Sequence, residues 1–206
     1  MIKKILLFIS FIFLLSFVYA ESTEFNIVTS SGFQFSEISS THQKAQNVNE
    51  LRQMIQNNEE KLNEELILMN NKQKIIYENQ NKVHNAIYSL LSMESLIPSI
   101  GILVSDIARQ LNGSVQKTII AEEKIKSRGF FSRFFFGGDI KSAKEIEDEL
   151  ILNEERILDL EELKQRCECS TEIKNIFEEQ IQNIKNEQIR LQEIVNSEKS
   201  SRGLFR

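Results

Sequence analysis

The stretch KSRGFFSRFFFGGD, residues 126–139, carries the side chains best suited to binding chemistry. Five phenylalanines fall within seven residues, beside two arginines and three glycines. Burying one phenylalanine is worth roughly 1.5–3 kcal/mol, so five rings in water would be costly. Three roles are open: a buried plug, a docking site for a protein partner, or a loop that enters a membrane surface. The candidate binding residues are Phe130, Phe131, Phe134, Phe135, Phe136, Arg128, Arg133, Leu204 and Phe205.

The C-terminal tail, residues 199–206, belongs with this stretch for two reasons. Its sequence SRGLF resembles the SRGFF that begins the phenylalanine run, with one residue different. The two helices predicted on either side of Cys167 are each roughly 40 Å long, so the second ends beside the start of the first. We therefore predict that Leu204 and Phe205 lie near the phenylalanines. In the membrane role, Lys124, Lys126 and the two arginines would meet anionic headgroups.

Cys167 and Cys169 are the only cysteines, and one residue separates them. Thiols of an exported protein tend to oxidise. The pair therefore predicts either a disulfide, within one turn or between two copies, or two unpaired thiols. A metal site would need two further ligands, and His42 and His84 are distant in sequence. A thiol-dependent activity at this pair is a third hypothesis for function, beside protein binding and membrane binding.

No other pattern indicates catalysis. Neither histidine has a companion suited to a nucleophile–base pair, and no phosphate loop or metal motif occurs. Acidic residues outnumber basic ones by 30 to 25, which argues against nucleic acid as a partner. We predict no enzyme activity, cofactor or metal. The triplet from Asn112 to Ser114 matches an N-glycosylation acceptor, but a helix there would make it poorly accessible.

The N-terminus predicts export. Lys3 and Lys4 precede an apolar run over residues 5–18, and Ala20 suits a cleavage site. The run is shorter than the roughly 20 residues of a membrane span, which favours a cleaved signal peptide over 1–20. An uncleaved anchor is the alternative. Export would lead to the extracellular space, a periplasm or a secretory lumen. Residues 21–43 are rich in serine and threonine and predict a flexible arm.

The remainder of the chain predicts helices throughout. There are only one proline and seven glycines, and apolar residues recur at seven-residue steps. We predict helices over 44–96 and 99–127. Together they form a coiled-coil region over 44–127 that is broken or kinked at Pro98. The apolar stripe of the first helix is narrow, which predicts self-association or a partner chain. The seven-residue column is Val48, Ile55, Leu62, Met69, Ile76, Val83, Leu90, Ile97, Val104, Leu111, Thr118 and Ile125.

A phenylalanine- and glycine-rich loop over 128–139 follows, and then an antiparallel helical hairpin over 140–198. Asp139 is suited to cap the first helix of this hairpin, and Ser170 or Thr171 the second. The predicted fold is all-α, with a long N-terminal stalk and a compact C-terminal head. The predicted function is an exported, non-catalytic coiled-coil protein that acts as a structural or protein–protein interaction module. The alternative is a peripheral membrane protein.

Overall fold

The computed structural model describes residues 43–67, 69 and 71–204, with the backbone alone at 71–73. These residues form helices and no strand, so the all-α prediction is confirmed. The predicted signal peptide, nearly all of the predicted arm, His42 and Phe205 lie outside the described residues. The elements are α1 (Val48–Ile67), α2 (Asn71–Ser92), a 3₁₀ turn (Met93–Leu96), α3 (Gly101–Ser127), α4 (Phe130–Phe136), α5 (Ile140–Arg166) and α6 (Thr171–Ser200).

The single helix predicted over 44–96 is wrong, because the chain turns back between α1 and α2. The backbone nitrogen of Ala45 donates to the carbonyl of Ser92 at 2.9 Å, so the two helices run antiparallel. At the other end of the pair, the Tyr77 hydroxyl donates to the Glu65 carboxylate at 2.6 Å. No glycine or proline marks this turn. The turn lets α1, whose apolar stripe is narrow, pack against α2.

Pro98 lies where the chain reverses a second time. It follows the 3₁₀ turn and precedes α3, and α3 packs back against α2. A side chain on Gly101 would place its Cβ 2.0 Å from the Glu94 carbonyl oxygen, so glycine permits this close return. The predicted N-terminal stalk is also wrong, because α2 packs against both α3 and α6.

The core lies where α3, α5 and α6 meet. Ala121 and Ile125 of α3 pack in one cluster with Leu150 of α5 and Leu191 of α6. Helices α3 and α5 run antiparallel. Lys117 pairs with Glu149 at 2.7 Å, while Lys124, seven residues later, pairs with Glu145, four residues earlier. Most of the seven-residue column is buried, although it crosses three helices and the two connections between them. Its buried members are Leu62, Val83, Leu90, Ile97, Val104, Leu111, Thr118 and Ile125.

The starts of α5 and α6 have the side-chain caps that their sequences predict. The Asp139 carboxylate accepts from the backbone nitrogen of Ser142 at 3.1 Å. The Ser170 hydroxyl accepts from the backbone nitrogen of Ile173 at 3.3 Å, which makes Ser170 and not Thr171 the cap. Each cap satisfies a backbone donor that the helix itself leaves unpaired. The caps fix where α5 and α6 begin, at opposite ends of the bundle.

Candidate functional site

The predicted loop over 128–139 contains a short helix, α4, at one end of the bundle. The backbone nitrogen of Arg133 donates to the Gly129 carbonyl at 3.2 Å, and that of Gly137 donates to the Arg133 carbonyl at 2.9 Å. Gly137 has a φ of 77°, which side chains disfavour, so glycine lets the chain leave α4 there. The two glycines therefore limit the helix to the phenylalanine run.

Most of the phenylalanine rings face solvent. The exposed fractions of Phe130, Phe131, Phe134 and Phe136 run from 50% to 75%, while Phe135 is half-buried. The rings of Phe130 and Phe134 stack with centroids 5.9 Å apart. The buried plug is therefore wrong for four of the five rings. A helix of seven residues can turn only one face inward, so the rest of the rings must point away from the bundle.

The C-terminal tail runs beside α4. The backbone nitrogen of Leu204 donates to the Phe134 carbonyl at 3.0 Å, which confirms the predicted proximity for Leu204. A Cβ on Gly203 would lie 2.3 Å from the Gly137 nitrogen, so the tail and the end of α4 are in direct backbone contact. The Leu204 side chain is 64% exposed. We call the exposed surface made of Phe130, Phe131, Phe134, Phe136 and Leu204 the phenylalanine patch.

Charged side chains attach α4 to the bundle. Arg133 contacts the Glu198 carboxylate at 3.0 Å and donates to the Ile125 carbonyl at 2.8 Å. The other Glu198 oxygen accepts from the backbone nitrogen of Asp139 at 2.8 Å. Arg128 instead donates to the Ser132 hydroxyl at 3.1 Å, so its charge has no acidic partner in the described chain. Sequence reasoning missed Glu198, since its neighbours give no sign that it is buried.

A buried ionic cluster lies near the same end, between α3 and α6. Arg190 donates to both Glu122 oxygens at 2.8 and 2.7 Å, and to both Glu187 oxygens at 2.7 Å. Burial alone would raise the pKa of Glu122, but the Arg190 hydrogen bonds outweigh it and hold that pKa below its usual value. Burial keeps the pKa of Glu187 above its usual value. Lys126 contacts Glu122 at 2.8 Å, so the cluster contains two basic and two acidic side chains.

The cysteine pair lies at the other end of the bundle, in the turn from α5 to α6. Cys167 and Cys169 form a disulfide within the chain, with sulfurs 2.08 Å apart. Because α5 begins near α4 and runs 27 residues to this turn, roughly 40 Å separate the disulfide from the phenylalanine patch. The disulfide is therefore not part of the phenylalanine patch.

A second apolar surface runs along the side of the bundle, between α5 and α6. It is a groove of about 700 Å³ with Leu150 and Ile157 among its buried lining residues. Its apolar rim consists of Ile151, Leu158 and Ile189, each 57–60% exposed. Four glutamates and one lysine are the charged residues that line it: Glu147, Glu154, Glu161, Glu193 and Lys185. We call this surface the α5–α6 groove.

The remaining candidate residues have structural surroundings. The ring of His84 packs edge-on against Tyr88, with centroids 4.4 Å apart. Asn112 and Ser114, the ends of the glycosylation pattern, are buried within α3. In the described part of the chain, histidine, cysteine and acidic side chains form no group of three or more that could hold a metal ion.

None of the described helices combines the length and apolar character that crossing a membrane requires. No protein-family model, curated protein or solved structure matches this chain.

Proposed function

We propose that this protein is a non-catalytic interaction module that docks through the phenylalanine patch. The observation that carries the proposal is that four phenylalanine rings of one short helix are 50–75% exposed. Apolar surface of this kind is costly in water and usually marks a binding site. A partner that covers the rings would remove this apolar surface from water.

The way in which α4 is held supports a binding role over an accident of packing. Arg133 and Glu198 tie the helix to the bundle, and Leu204 bonds to its backbone. The exposed rings are therefore presented on a fixed support. A surface that is ordered before binding loses less conformational entropy when a partner arrives. The buried positions at seven-residue steps further support helices that pack in the manner of a coiled coil.

A photo-crosslinking experiment tests the docking role. Benzoylphenylalanine replaces Phe131 in one variant and Ile102 in a control, since both side chains are well exposed and Ile102 lies at the start of α3. After irradiation of expressing cells, we expect protein or lipid adducts at position 131 and not at 102. The absence of adducts at 131, or equal adducts at both positions, would contradict the proposal.

Peripheral membrane binding is a second candidate, and the charges around the patch favour it. Residues 124–136 and 199–204 contain six basic residues; four of them pair with glutamates, while Arg128 and Arg202 have no acidic partner among the described residues. Basic side chains around exposed aromatic rings suit an anionic lipid surface. Flotation with liposomes that contain phosphatidylserine tests this. We expect binding that Phe130→Gln/Phe131→Gln removes; binding that persists in this variant, or no binding, would contradict it.

We also propose that the chain is exported through a signal peptide over 1–20. The basic and apolar order of these residues supports this, and so does the disulfide, because disulfides persist in oxidising compartments. Mass spectrometry of the protein purified from the medium of expressing cells should find an N-terminus near Glu21. Retention of the chain in the cytosol with residue 1 or 2 still present would contradict this proposal.

A further inference from the structure

We infer that the phenylalanine patch of one copy docks into the α5–α6 groove of a second copy. The inference rests on the proposed function, because it names the partner of the same patch. It joins two exposed apolar surfaces that the described chain carries at different places and that have opposite charge. One is a projecting end, and the other is a recess along the side.

The two surfaces are compatible in size. The α5 residues that line the groove run from Glu147 to Glu161, which spans roughly 21 Å at 1.5 Å per residue. Helix α4 has seven residues and is about 10 Å long by the same measure. Its length therefore allows it to lie along the groove, with its exposed rings against Ile151, Leu158 and Ile189. In its own copy, α4 is held at the end of the bundle and its rings remain exposed.

Charge complementarity favours this pairing. Glu147 pairs with Lys199 and Glu161 with Lys185, but Glu154 and Glu193 form no ion pair with another described residue. These two carboxylates leave the groove with an unbalanced negative charge. Beside the patch, Arg128 and Arg202 likewise have no acidic partner among the described residues. Two unpaired anions at one surface thus match two unpaired cations at the other.

Other occupants of the groove fit its charge less well. Residues 21–42 contain three glutamates and no lysine or arginine, so this arm would bring like charge to the acidic lining. Two copies that met groove to groove would oppose four glutamates with four more. The patch is the described apolar surface that brings positive charge.

The geometry determines the kind of assembly. Because the patch and the groove are different surfaces, each copy can use one to bind a neighbour and still offer the other. Such head-to-side contacts either close into a ring, of which a reciprocal dimer is the smallest, or extend into filaments. The assembly should weaken at high salt, since the matching charges lie at the rim and are screened there.

Analytical ultracentrifugation of the purified full chain and two variants tests the inference. Phe130→Gln/Phe131→Gln removes the patch, and Ile151→Gln/Leu158→Gln removes the groove; all four side chains are exposed, so the fold should remain. We expect the wild type to form a dimer or larger species as its concentration rises to about 100 μM, and each variant to stay monomeric. The control Ile102→Gln/Leu103→Gln, which changes two exposed residues of α3, should assemble as the wild type does.

Mixing the two variants gives the decisive result. Each retains one half of the contact, so an equimolar mixture should form a heterodimer and nothing larger. A monomeric wild type, assembly that persists in either variant, or a mixture that does not associate would each overturn the inference. If the wild type stays monomeric while Phe131 still crosslinks to another protein or to lipid, the inference fails and the proposed function stands. If neither occurs, both fail.

Discussion

Arg190 is the hydrogen-bond partner of two of the four glutamates that are buried in the described chain. It bonds both carboxylates of the buried cluster, Glu122 of α3 and Glu187 of its own helix. Removing ions from water is expensive, and only close pairing with good hydrogen bonds offsets that expense. The cluster therefore need not add much stability as it stands. Breaking it, however, would leave two carboxylates without their main hydrogen-bond donor.

Replacing Arg190 with methionine should lower the free energy of unfolding by about 3–5 kcal/mol, because two carboxylates lose their shared partner. Urea denaturation followed by circular dichroism measures this. The matched control is Arg52→Met, which breaks the exposed pair with Glu172 and should cost about 1 kcal/mol or less. Equal losses in the two variants would show that burial does not distinguish the two ion pairs.

Glu94, in the 3₁₀ turn after α2, should make the stability of the fold sensitive to acid. The Lys44 ammonium donates to this carboxylate at 2.6 Å, and the Ser105 hydroxyl donates at 2.6 Å. These hydrogen bonds, first that from Lys44, lower the pKa of Glu94 from its ordinary 4.5. The unfolded chain therefore takes up the proton more readily than the folded chain. The stability that Glu94 contributes is present above pH 4.5 and is lost as the pH falls through the lower folded pKa.

The variant Glu94→Gln tests this pH dependence. We expect it to be less stable than the wild type at neutral pH, and the difference in free energy of unfolding to shrink as the pH falls below 4.5. Urea denaturation at a series of pH values measures the difference. Lys44→Met should make the stability of the otherwise unchanged protein less dependent on pH in this range, since it removes the main cause of the pKa shift. A difference that is constant with pH would contradict the assignment.

Between elements, glycine positions decide how closely the chain can pass itself. The end of α6 reaches the start of α5 where a Cβ on Gly138 would lie 2.0 Å from the Glu198 carbonyl oxygen. At the same junction, the Ser201 backbone carbonyl accepts a hydrogen bond from the Gly138 backbone nitrogen at 3.2 Å. Gly113, inside α3, is the opposite case, because a Cβ there would have no atom within 4 Å.

The same substitution should therefore have opposite effects at these two sites. Gly138→Ala should destabilise the fold by about 1–3 kcal/mol, because backbone atoms must move apart. Gly113→Ala should stabilise it by about 0.5–1 kcal/mol, because alanine is the better helix former and fits without a clash. Thermal and urea unfolding measure both values. A loss of stability at Gly113, or none at Gly138, would contradict the packing described for that position.

Across the whole molecule, burial is uneven. Helix α1 has three buried residues among twenty, whereas α6 has ten among thirty and packs against both α5 and α2. Of the other helices, α1 packs mainly against α2. Regions with few buried contacts open at a lower free energy than the core does. The end of the chain that holds α1 should therefore be the least protected part of the bundle.

Native-state hydrogen exchange tests this order. We expect the backbone amides of α1 to exchange faster than those in the middle of α6, by roughly tenfold for each 1.4 kcal/mol of difference in opening free energy. Mass spectrometry of peptides from the two helices measures the rates under one condition. Equal protection of α1 and α6 would mean that the bundle opens only as a unit.

The success of sequence reasoning differed between features of this chain. Local signals predicted the Asp139 cap and limited the cap of α6 to Ser170 or Thr171, since a cap acts on a neighbour three residues away. Eight of the twelve positions in the seven-residue column are buried. The same column suggested one long helix, because its step continued across the turn between α1 and α2, where no glycine or proline interrupts it. The reversal at Pro98 was equally undecided, since a proline permits both a kink and a turn.

By itself, the sequence determined the all-α class, the Asp139 cap, the apolar column and the return of Leu204 to α4, because these follow from local chemistry, period and helix length. Tertiary structure alone decided that α1 folds back on α2, that Glu122, Glu187 and Glu198 are buried, and that four phenylalanines face outward. Each of these depends on which surfaces meet. A glutamate or phenylalanine has the same local pattern whether its helix face is covered or exposed, so only packing between distant helices distinguishes the two.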